Sequence, residues 1–545
     1  MNRSYRVLLV YPRFNAESFW GYQVSCELVG AKRPAAPLGL ITVAAMLPQT
    51  WEFRLVDRNT EDLSNNDLAW ADLVLTGGML FQRLDSQTII ELAQKLDKPV
   101  MVGGPDVTSH QEAYRAADFL MLGEAESVID DFTRAWLDGV RHGIFEAPKF
   151  QADVTRSPIP RFDLLHFDDY LQIGVQFSRG CPFTCEFCDI IELYGRVPRT
   201  KTAAQMLAEL DRLYALGYRG HVDFVDDNLI GNKKAVKAFL PHLKTWLETH
   251  DYPFEFSTEA SLNLSDDEEL LTLMREANFF AVFVGIESPD AETLRRAQKK
   301  QNTRRNIAES VHRIYAHGIF VTAGFIVGFD SEEGSIAPPM VELIEQAHIP
   351  INMVGLLFAL SNTQLARRLK KEGRLHDGYD RQLTDHCTSG LNFEPRRPRI
   401  EILRDYRTVL AQIYEPAAFS NRLKGLSDLL KRSTSRRDAP KGDKKTAVNT
   451  IELTHRIVNQ IPEARKELWE AFTYCAKTNP SALRFIVLLM ALYLHVGPFS
   501  RRVMADIDRQ ISNADIVPPE CQLPLASEVQ DDAANPSNDL LVAIA

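Results

Sequence analysis

The chain has 545 residues, 45% of them hydrophobic and 25% charged, which is the composition of an ordinary globular protein with length for roughly two to four domains. Its formal net charge of −11 excludes a general nucleic-acid binder, which would carry a basic stripe, and leaves a small or neutral substrate.

Residues 6–10, 53–56, 73–76, 100–102 and 119–122 are apolar β runs, and residues 38–47 and 86–96 between them have helical spacing. That alternation over residues 1–140 predicts a doubly wound, Rossmann-like parallel sheet. The opening run is too short for a secretory signal and reads as the first strand of a cytoplasmic protein. Ligands of such sheets sit outside the carboxyl ends of the strands, which here carry Asp57, Thr76, Gly77, Gly78, Gly103, Gly104 and Glu124. Glycine admits a large flat ligand close to the backbone, although the turn glycines of any α/β domain look the same. Residues 141–170, with Pro158 and Pro160, read as a linker.

A second βα series fills residues 171–395. Strands are expected at 172–177, 221–225, 254–257, 281–284, 321–326 and 352–358. Helices such as 202–216 and 265–277 lie between them, the latter opening on Ser265 as N-cap with Glu268 at the capping-box position. Polar groups recur after these strands, where parallel β/α barrels place their active sites. The first strand runs into Cys181, Cys185 and Cys188. Three thiolates on one short loop can each hold one iron of a [4Fe-4S] cube and leave the fourth iron open. The competing reading, a structural zinc site, needs four ligands, and no second cysteine pair follows. Cys26, Cys387, Cys475 and Cys521 are scattered and read as buried apolar side chains of a reduced protein. His110, His221, His386 and His495 lack metal-ligand spacing and read as ordinary polar residues.

Residues 396–512 predict a helical domain with helices at 398–413, 466–476 and 482–494, and a solvated charged loop at 431–445. The stretch 485–496 is apolar nearly all round and about half the length of a membrane span. Burial against the barrel is its plain reading; a lid over a greasy substrate, or a shallow membrane contact, is the sharper one. Residues 513–545, polar and ending in an uneven 531–538 segment, read as a disordered tail.

The cysteine loop with Phe187, a barrel of six βα units and the run Gly324 to Gly328 resemble the radical S-adenosylmethionine (SAM) superfamily, and the N-terminal sheet resembles its cobalamin-binding subgroup. More narrowly, Cys185 to Ile190, Leu193 to Arg196, Phe224 to Asn228 and Ile230 to Lys233 resemble the branch of the hopanoid C-2 methyltransferases. The resemblance implies that Cys181, Cys185 and Cys188 ligate the cluster and that the open iron chelates SAM. It implies further that Phe187 packs near the adenine, that Asp226, Asp227 and Asn228 receive the SAM ammonium, and that Glu259 meets the ribose hydroxyls. Gly324, Ile326 and Gly328 would lie against the adenine. Glu287 would be a further polar contact or an acid bonding a neighbouring loop. In the sheet domain, Thr76, Gly77 and Gly78 would run along a corrin and Gly103 and Gly104 would meet its nucleotide tail, with Asp57 at the same edge. Asp57 is followed by Arg58 and Asn59, so the His that ligates cobalt from below in one cobalamin signature is missing.

The implied reaction is methylation of an unactivated carbon: a 5′-deoxyadenosyl radical removes hydrogen and cobalamin delivers the methyl group. The alternative is a radical SAM cyclisation, oxidation or rearrangement without net methyl transfer. A flavodoxin or ferredoxin would supply the electron. Polycyclic lipids, tetrapyrroles and secondary metabolites are the substrate classes in view, and Arg196, Arg199 and Lys201 would suit an anionic group if the substrate carries one.

Overall fold

The computed structural model describes residues 4–15, 18–376, 387, 390–431 and 450–516. The strands in chain order are β1 (Arg6–Tyr11), β2 (Arg33–Ala35), β3 (Glu52–Asp57), β4 (Leu73–Gly77), β5 (Val100–Gly103), β6 (Phe119–Leu122), β7 (Gly143–Glu146), β8 (Tyr170–Val175), β9 (Ser178–Arg179), β10 (Arg199–Thr200), β11 (Gly220–Phe224), β12 (Phe254–Glu259), β13 (Phe279–Glu287), β14 (Phe320–Val327) and β15 (Asn352–Leu356). The first sheet has the order β3-β1-β4-β5-β6-β7, parallel throughout. Val7, Leu8, Leu9 and Val10 are all fully buried because helices cover both faces of the sheet, with a separate apolar cluster on each. The order reverses at β1, which puts the crevice of this doubly wound sheet between the ends of β1 and β4.

The second sheet, β15-β14-β13-β12-β11-β8-β2, is a curled parallel half-barrel. Its six long strands fall where the apolar runs predict them. The seventh does not: Arg33 and Ala35 of β2 pair in parallel with Tyr170 and Gln172 of β8, so a piece of the first 140 residues extends the barrel sheet. A three-residue strand with Pro34 at its centre and Pro37 two residues beyond it is too short to show a period in the sequence. β7 was also missed, and it carries the first sheet past residue 140 into the expected linker.

Local signals account for the helices that lead away from the site. Helix Ala203–Ala215 starts at Thr202, whose hydroxyl accepts from Gln205 N while Gln205 returns the bond to Thr202 N. The helix expected to open on Ser265 instead spans Glu268–Glu276, capped by Asp267, whose Oδ1 accepts from Leu270 N at 3.1 Å. Ser265 is buried inside the preceding 3₁₀ turn Leu262–Asp266, so the better-placed carboxylate takes the cap.

The C-terminal region holds helices Arg399–Ile413, Pro416–Leu429, Thr450–Gln460, Arg465–Thr478 and Leu483–Ile516, the second and third of them unforeseen. The last is almost three times its expected length because it continues through Pro498. From Pro480 to Asn513 it is long and apolar enough to cross a bilayer, yet 67% of its most apolar window is buried within the protein. Phe485 packs on Phe280 and Phe320 at 5.8 and 6.0 Å, and Arg484 bonds Glu255 of β12 at 2.6 Å, so the start of this helix seals the floor of the half-barrel. Further along, Ser25 donates to Ala491 O at 2.7 Å, and Phe19 and Tyr22 pack on Phe499 and His495, drawing residues 18–28 against the same helix. Cys26, Cys387 and Cys475 are buried thiols that form no disulfide among the described residues. His386, Cys521, nearly all of the 431–445 loop and the tail beyond Ile516 lie outside the described residues.

Candidate active site

The cysteine loop leaves the carboxyl end of β8 and is held by the short antiparallel ribbon β9–β10. Gly180 has φ +96°, and a Cβ there would lie 2.9 Å from Gly195 O, so the close turn before Cys181 requires glycine. Cys181 N donates to Gly195 O and Cys188 N to Cys185 O, each at 3.2 Å. Two amides from outside the loop reach its sulfurs: Asn228 Nδ2 donates to Cys181 Sγ and Gln301 Nε2 to Cys185 Sγ, both at 3.8 Å. Burial pushes all three thiols up. Among the described residues no three His, Cys, Asp or Glu side chains lie close enough to share one metal ion. A cube asks for something else, one thiolate on each of three irons.

The acids after β11 divide their work. Asp226 accepts from Phe177 N at 2.9 Å with one oxygen and from Ser178 N and Oγ at 2.5 Å with the other. The carboxylate expected on an ammonium therefore braces the start of the cysteine loop, and burial raises its pKa to about 7. Asn228 likewise ties Ser261 to the loop, accepting from Ser261 N at 3.1 Å. Asp227 gives one oxygen to Gly180 N at 2.9 Å and sits near 6, raised chiefly by burial. Glu259, at the end of β12, is different: its Oε2 is buried and has no partner. Burial first, and then Asp223, Asp226 and Asp227, drive its pKa far up. One layer below, His221 Nε2 lies 2.7 Å from Ser257 Oγ, which donates to Asp223, and burial lowers His221 to about 4.

On the other side of the loop, Phe187 packs edge-on against Phe329 at 5.8 Å. Gly324 faces the Phe283 ring, where a Cβ would come within 3.1 Å. Gly328 has φ +104°, its N–H donates to Glu332, and Leu391 would meet a Cβ at 2.8 Å; Ile326 is half-buried between them. Of the two expectations for Glu287, the structure takes the neighbouring loop: its Oε1 accepts from Lys299 Nζ at 2.7 Å.

At the carboxyl edge of the first sheet the polar groups are used internally. Asp57 accepts from Asn59 N and Nδ2 with one oxygen and from Tyr170 OH at 2.9 Å with the other, so it fastens β3 to β8 and is not free for a corrin. Thr76 donates to Val10 O at 2.8 Å. A Cβ on Gly77 would strike Gly103 O at 2.3 Å, whereas one on Gly103 would meet nothing nearer than 3.8 Å. Gly104 has φ +100°. Gly77 is thus required by the neighbouring turn, and Gly103 and Gly104 are the positions where an outside ligand could come close.

The two edges meet through ion pairs. Arg179, two residues before Cys181, pairs with Glu124 at 3.3 Å and Glu126 at 2.7 Å, and Arg199 pairs with Glu124 at 2.8 Å. His110 bridges Asp106 and Ser361, at 2.9 and 2.7 Å. Lys201 is buried against Glu209. Arg199 and Lys201 are therefore spent inside the protein and cannot serve an anionic substrate; Arg196 alone of that trio is exposed. Lys299, Gln301 and the Arg179–Glu124 pair were not foreseen, since residues that meet from separate loops leave no periodic trace in the sequence.

The donor set fits a cluster with one open iron, and the unpaired Glu259 oxygen two strands away fits a hydroxyl-bearing ligand beside it. Iron–sulfur chemistry at a barrel mouth is the class that fold and site define. Residues 175–344 match the Radical SAM superfamily, and residues 363–509 a Domain of unknown function (DUF4070). An uncharacterized methyltransferase of Synechocystis sp. is 48% identical over 419 residues, 76% of this chain and 77% of that protein. The hopanoid C-2 methylase of Rhodopseudomonas palustris is 38% identical over 426 residues, 77% of this chain and 79% of that protein. The fold is similar to that of the cobalamin-dependent SAM radical enzyme OxsB, solved with aqua-cobalamin and SAM bound (TM-score 0.57, 16% identity, 93% of this chain and 81% of that one). It is also similar to the radical SAM methyltransferase TsrM of Kitasatospora setae (TM-score 0.55, 16% identity, 68% and 78%). The chain belongs to the radical SAM superfamily, and with that membership come a [4Fe-4S] cluster and SAM.

Proposed function

We propose that the protein is a cobalamin-dependent radical SAM methyltransferase that methylates an unactivated carbon of a small, largely apolar substrate. The observation that carries this reading is the joint between the two edges: Arg179 ties the cysteine loop to Glu124 and Glu126, directly after the strand next to Gly103 and Gly104. Cluster, SAM and cobalamin bound on either side of that joint would supply one-electron cleavage of SAM, hydrogen abstraction and a methyl donor.

The chain's own residues do the holding and the excluding. Cys181, Cys185 and Cys188 would hold the cluster, with Asp226 and Asn228 fixing the loop that presents them. Glu259 would accept from the ribose hydroxyls, Asp227 would face the ammonium, and Phe187 with Gly324, Ile326 and Gly328 would flank the adenine. Gly103 and Gly104 would lie along cobalamin. Trp20, 47% exposed, packs at 5.6 Å on Phe283 of the barrel wall, opposite Gly324. An aromatic wall of this kind supports a polycyclic lipid, the substrate class in the name of the hopanoid C-2 methylase relative. A flavodoxin or ferredoxin would deliver the electron in the cytoplasm.

The test is anaerobic reconstitution with iron and sulfide, then turnover with SAM, dithionite and methylcobalamin on polycyclic lipid substrates. The expected products are 5′-deoxyadenosine and a lipid heavier by one methyl increment. Deoxyadenosine released with a substrate cyclised or oxidised but not methylated would overturn the methyl-transfer reading.

A further inference from the structure

Gln301 reaches the cysteine loop, and Lys299 acts on Cys181 and Cys185 as a nearby positive charge, from a segment that no part of the reading above employs. The short helix Ala291–Arg296 ends in a loop that lies along the cluster-binding turn, where Glu186 N, next to Cys185, donates to Ala297 O at 3.1 Å. Asn302 pins the far end of this loop to β13 by donating to Gly285 O and Ile286 O at 2.9 and 3.1 Å. Between these anchors Gln301 Nε2 donates to Cys185 Sγ, and Gln301, buried, has an Oε1 with no partner. Lys299 Nζ sits 2.7 Å from Glu287 Oε1 with its side chain only 12% exposed. A Cβ at Gly285 would lie 2.3 Å from the Glu287 carboxylate and 2.9 Å from Lys299 Nζ, so the pair fits only over a glycine. Glu287 itself holds φ +70° at a register shift in β13, a strained conformation that aims its carboxylate at Lys299.

We propose that Lys299 and Gln301 set the reduction potential of the cluster through the Cys185 sulfur, with Glu287 as the opposing charge. The proposal rests on the cluster reading above. Reducing a cube adds negative charge to its iron and sulfur atoms. A buried cation and an N–H donor at one sulfur stabilise that added charge, and a buried carboxylate beside the cation offsets part of the effect. These are positioning residues, acting through a ligand and not on the reacting carbon.

The experiment is a dithionite titration of the reconstituted full-length chain, without SAM, followed by the electron paramagnetic resonance of the reduced cluster. Lys299→Met should make the cluster harder to reduce, lowering the reduced-to-oxidised ratio at a fixed poise about tenfold, which is ~59 mV for a one-electron couple. Lys299→Arg should restore the wild-type midpoint. Gln301→Leu should shift it in the same direction by less, and Glu287→Gln in the opposite direction. A merely structural role would not give opposite signs for the two partners of one ion pair. Midpoints that stay at the wild-type value, or Lys299→Met and Glu287→Gln moving together, overturn the proposal while the cluster reading stands. If Lys299→Met takes up no iron, Gln301→Leu and Glu287→Gln decide by the same criterion. A wild-type chain that binds no iron or sulfide overturns the cluster reading and this proposal with it.

Discussion

The carboxyl edges of the two sheets are both rich in glycine, yet they settle their polar groups differently. In the first sheet Asp57, Thr76, Gln82 and Asp106 all bond within the protein, and the only partnerless buried side-chain atom among its described residues, Trp136 Nε1, lies in the core away from the edge. In the half-barrel Gln301 Oε1, beside Cys185, and Glu259 Oε2, two strands away, are buried without partners, as are atoms of Glu209, Arg305 and Asn352 elsewhere. An unpaired buried polar atom costs about 1–3 kcal/mol, which makes the Glu259 oxygen at a strand's carboxyl end a place for a ligand's hydrogen bond. The first edge offers bare backbone to a large flat molecule; the second offers charge and hydrogen bonds to a small polar one.

The largest test of that contrast cuts the joint between the edges. Arg179→Met leaves Glu126 without its buried cation and Glu124 with Arg199 alone, and should cost about 3–5 kcal/mol, read as a lower thermal midpoint and separate unfolding of the two sheets. A midpoint equal to wild type would mean the edges are held by other contacts. Next, Glu259→Gln should leave the iron content unchanged and slow SAM cleavage about 2–10-fold, the worth of one neutral hydrogen bond; unchanged deoxyadenosine release would return Glu259 to a structural role.

A third test reads the floor beneath the second edge by pH. His221 is held neutral by burial with a pKa of about 4, below the unfolded value of 6.5. The unfolded chain therefore binds the extra proton first, so this contribution to stability is present above pH 6.5 and lost as pH falls toward 4. Between pH 7 and 5 the wild type should lose about 2 kcal/mol more than His221→Asn, measured by denaturant unfolding. Equal slopes would place His221 in contact with solvent. The smallest effect belongs to the first edge: Asp57→Asn should leave cobalamin affinity unchanged, whereas Gly103→Val should abolish binding, both by absorbance titration. The reverse result would make Asp57 a ligand contact after all.

The chain order of strands and helices, the parallel class of both sheets and the cysteine triad were legible because each is written locally, in apolar periodicity or in spacing along one loop. Glu259 was singled out by the family resemblance, at the end of a predicted strand. Asp57, Asp226 and Glu287 were equally visible as acids at strand ends, but a sequence cannot say whether such an acid faces a ligand or bonds a neighbouring amide, hydroxyl or lysine. Arg199 and Lys201 mislead for the same reason, since their partners Glu124 and Glu209 lie elsewhere in the chain.

By itself, then, the sequence determined a three-thiol loop between an apolar strand and a helix, and a second sheet rich in turn glycines, because short-range chemistry and periodicity survive in one dimension. Only the tertiary structure decided that residues 33–35 join the barrel, that the last helix closes its floor, and that Gln301 arrives beside Cys185 and Lys299 beside Glu287. Those facts depend on contacts between segments as much as 229 residues apart, as between Arg484 and Glu255. Such contacts are selected by packing and by satisfaction of buried charge, which act only once the chain has folded back on itself.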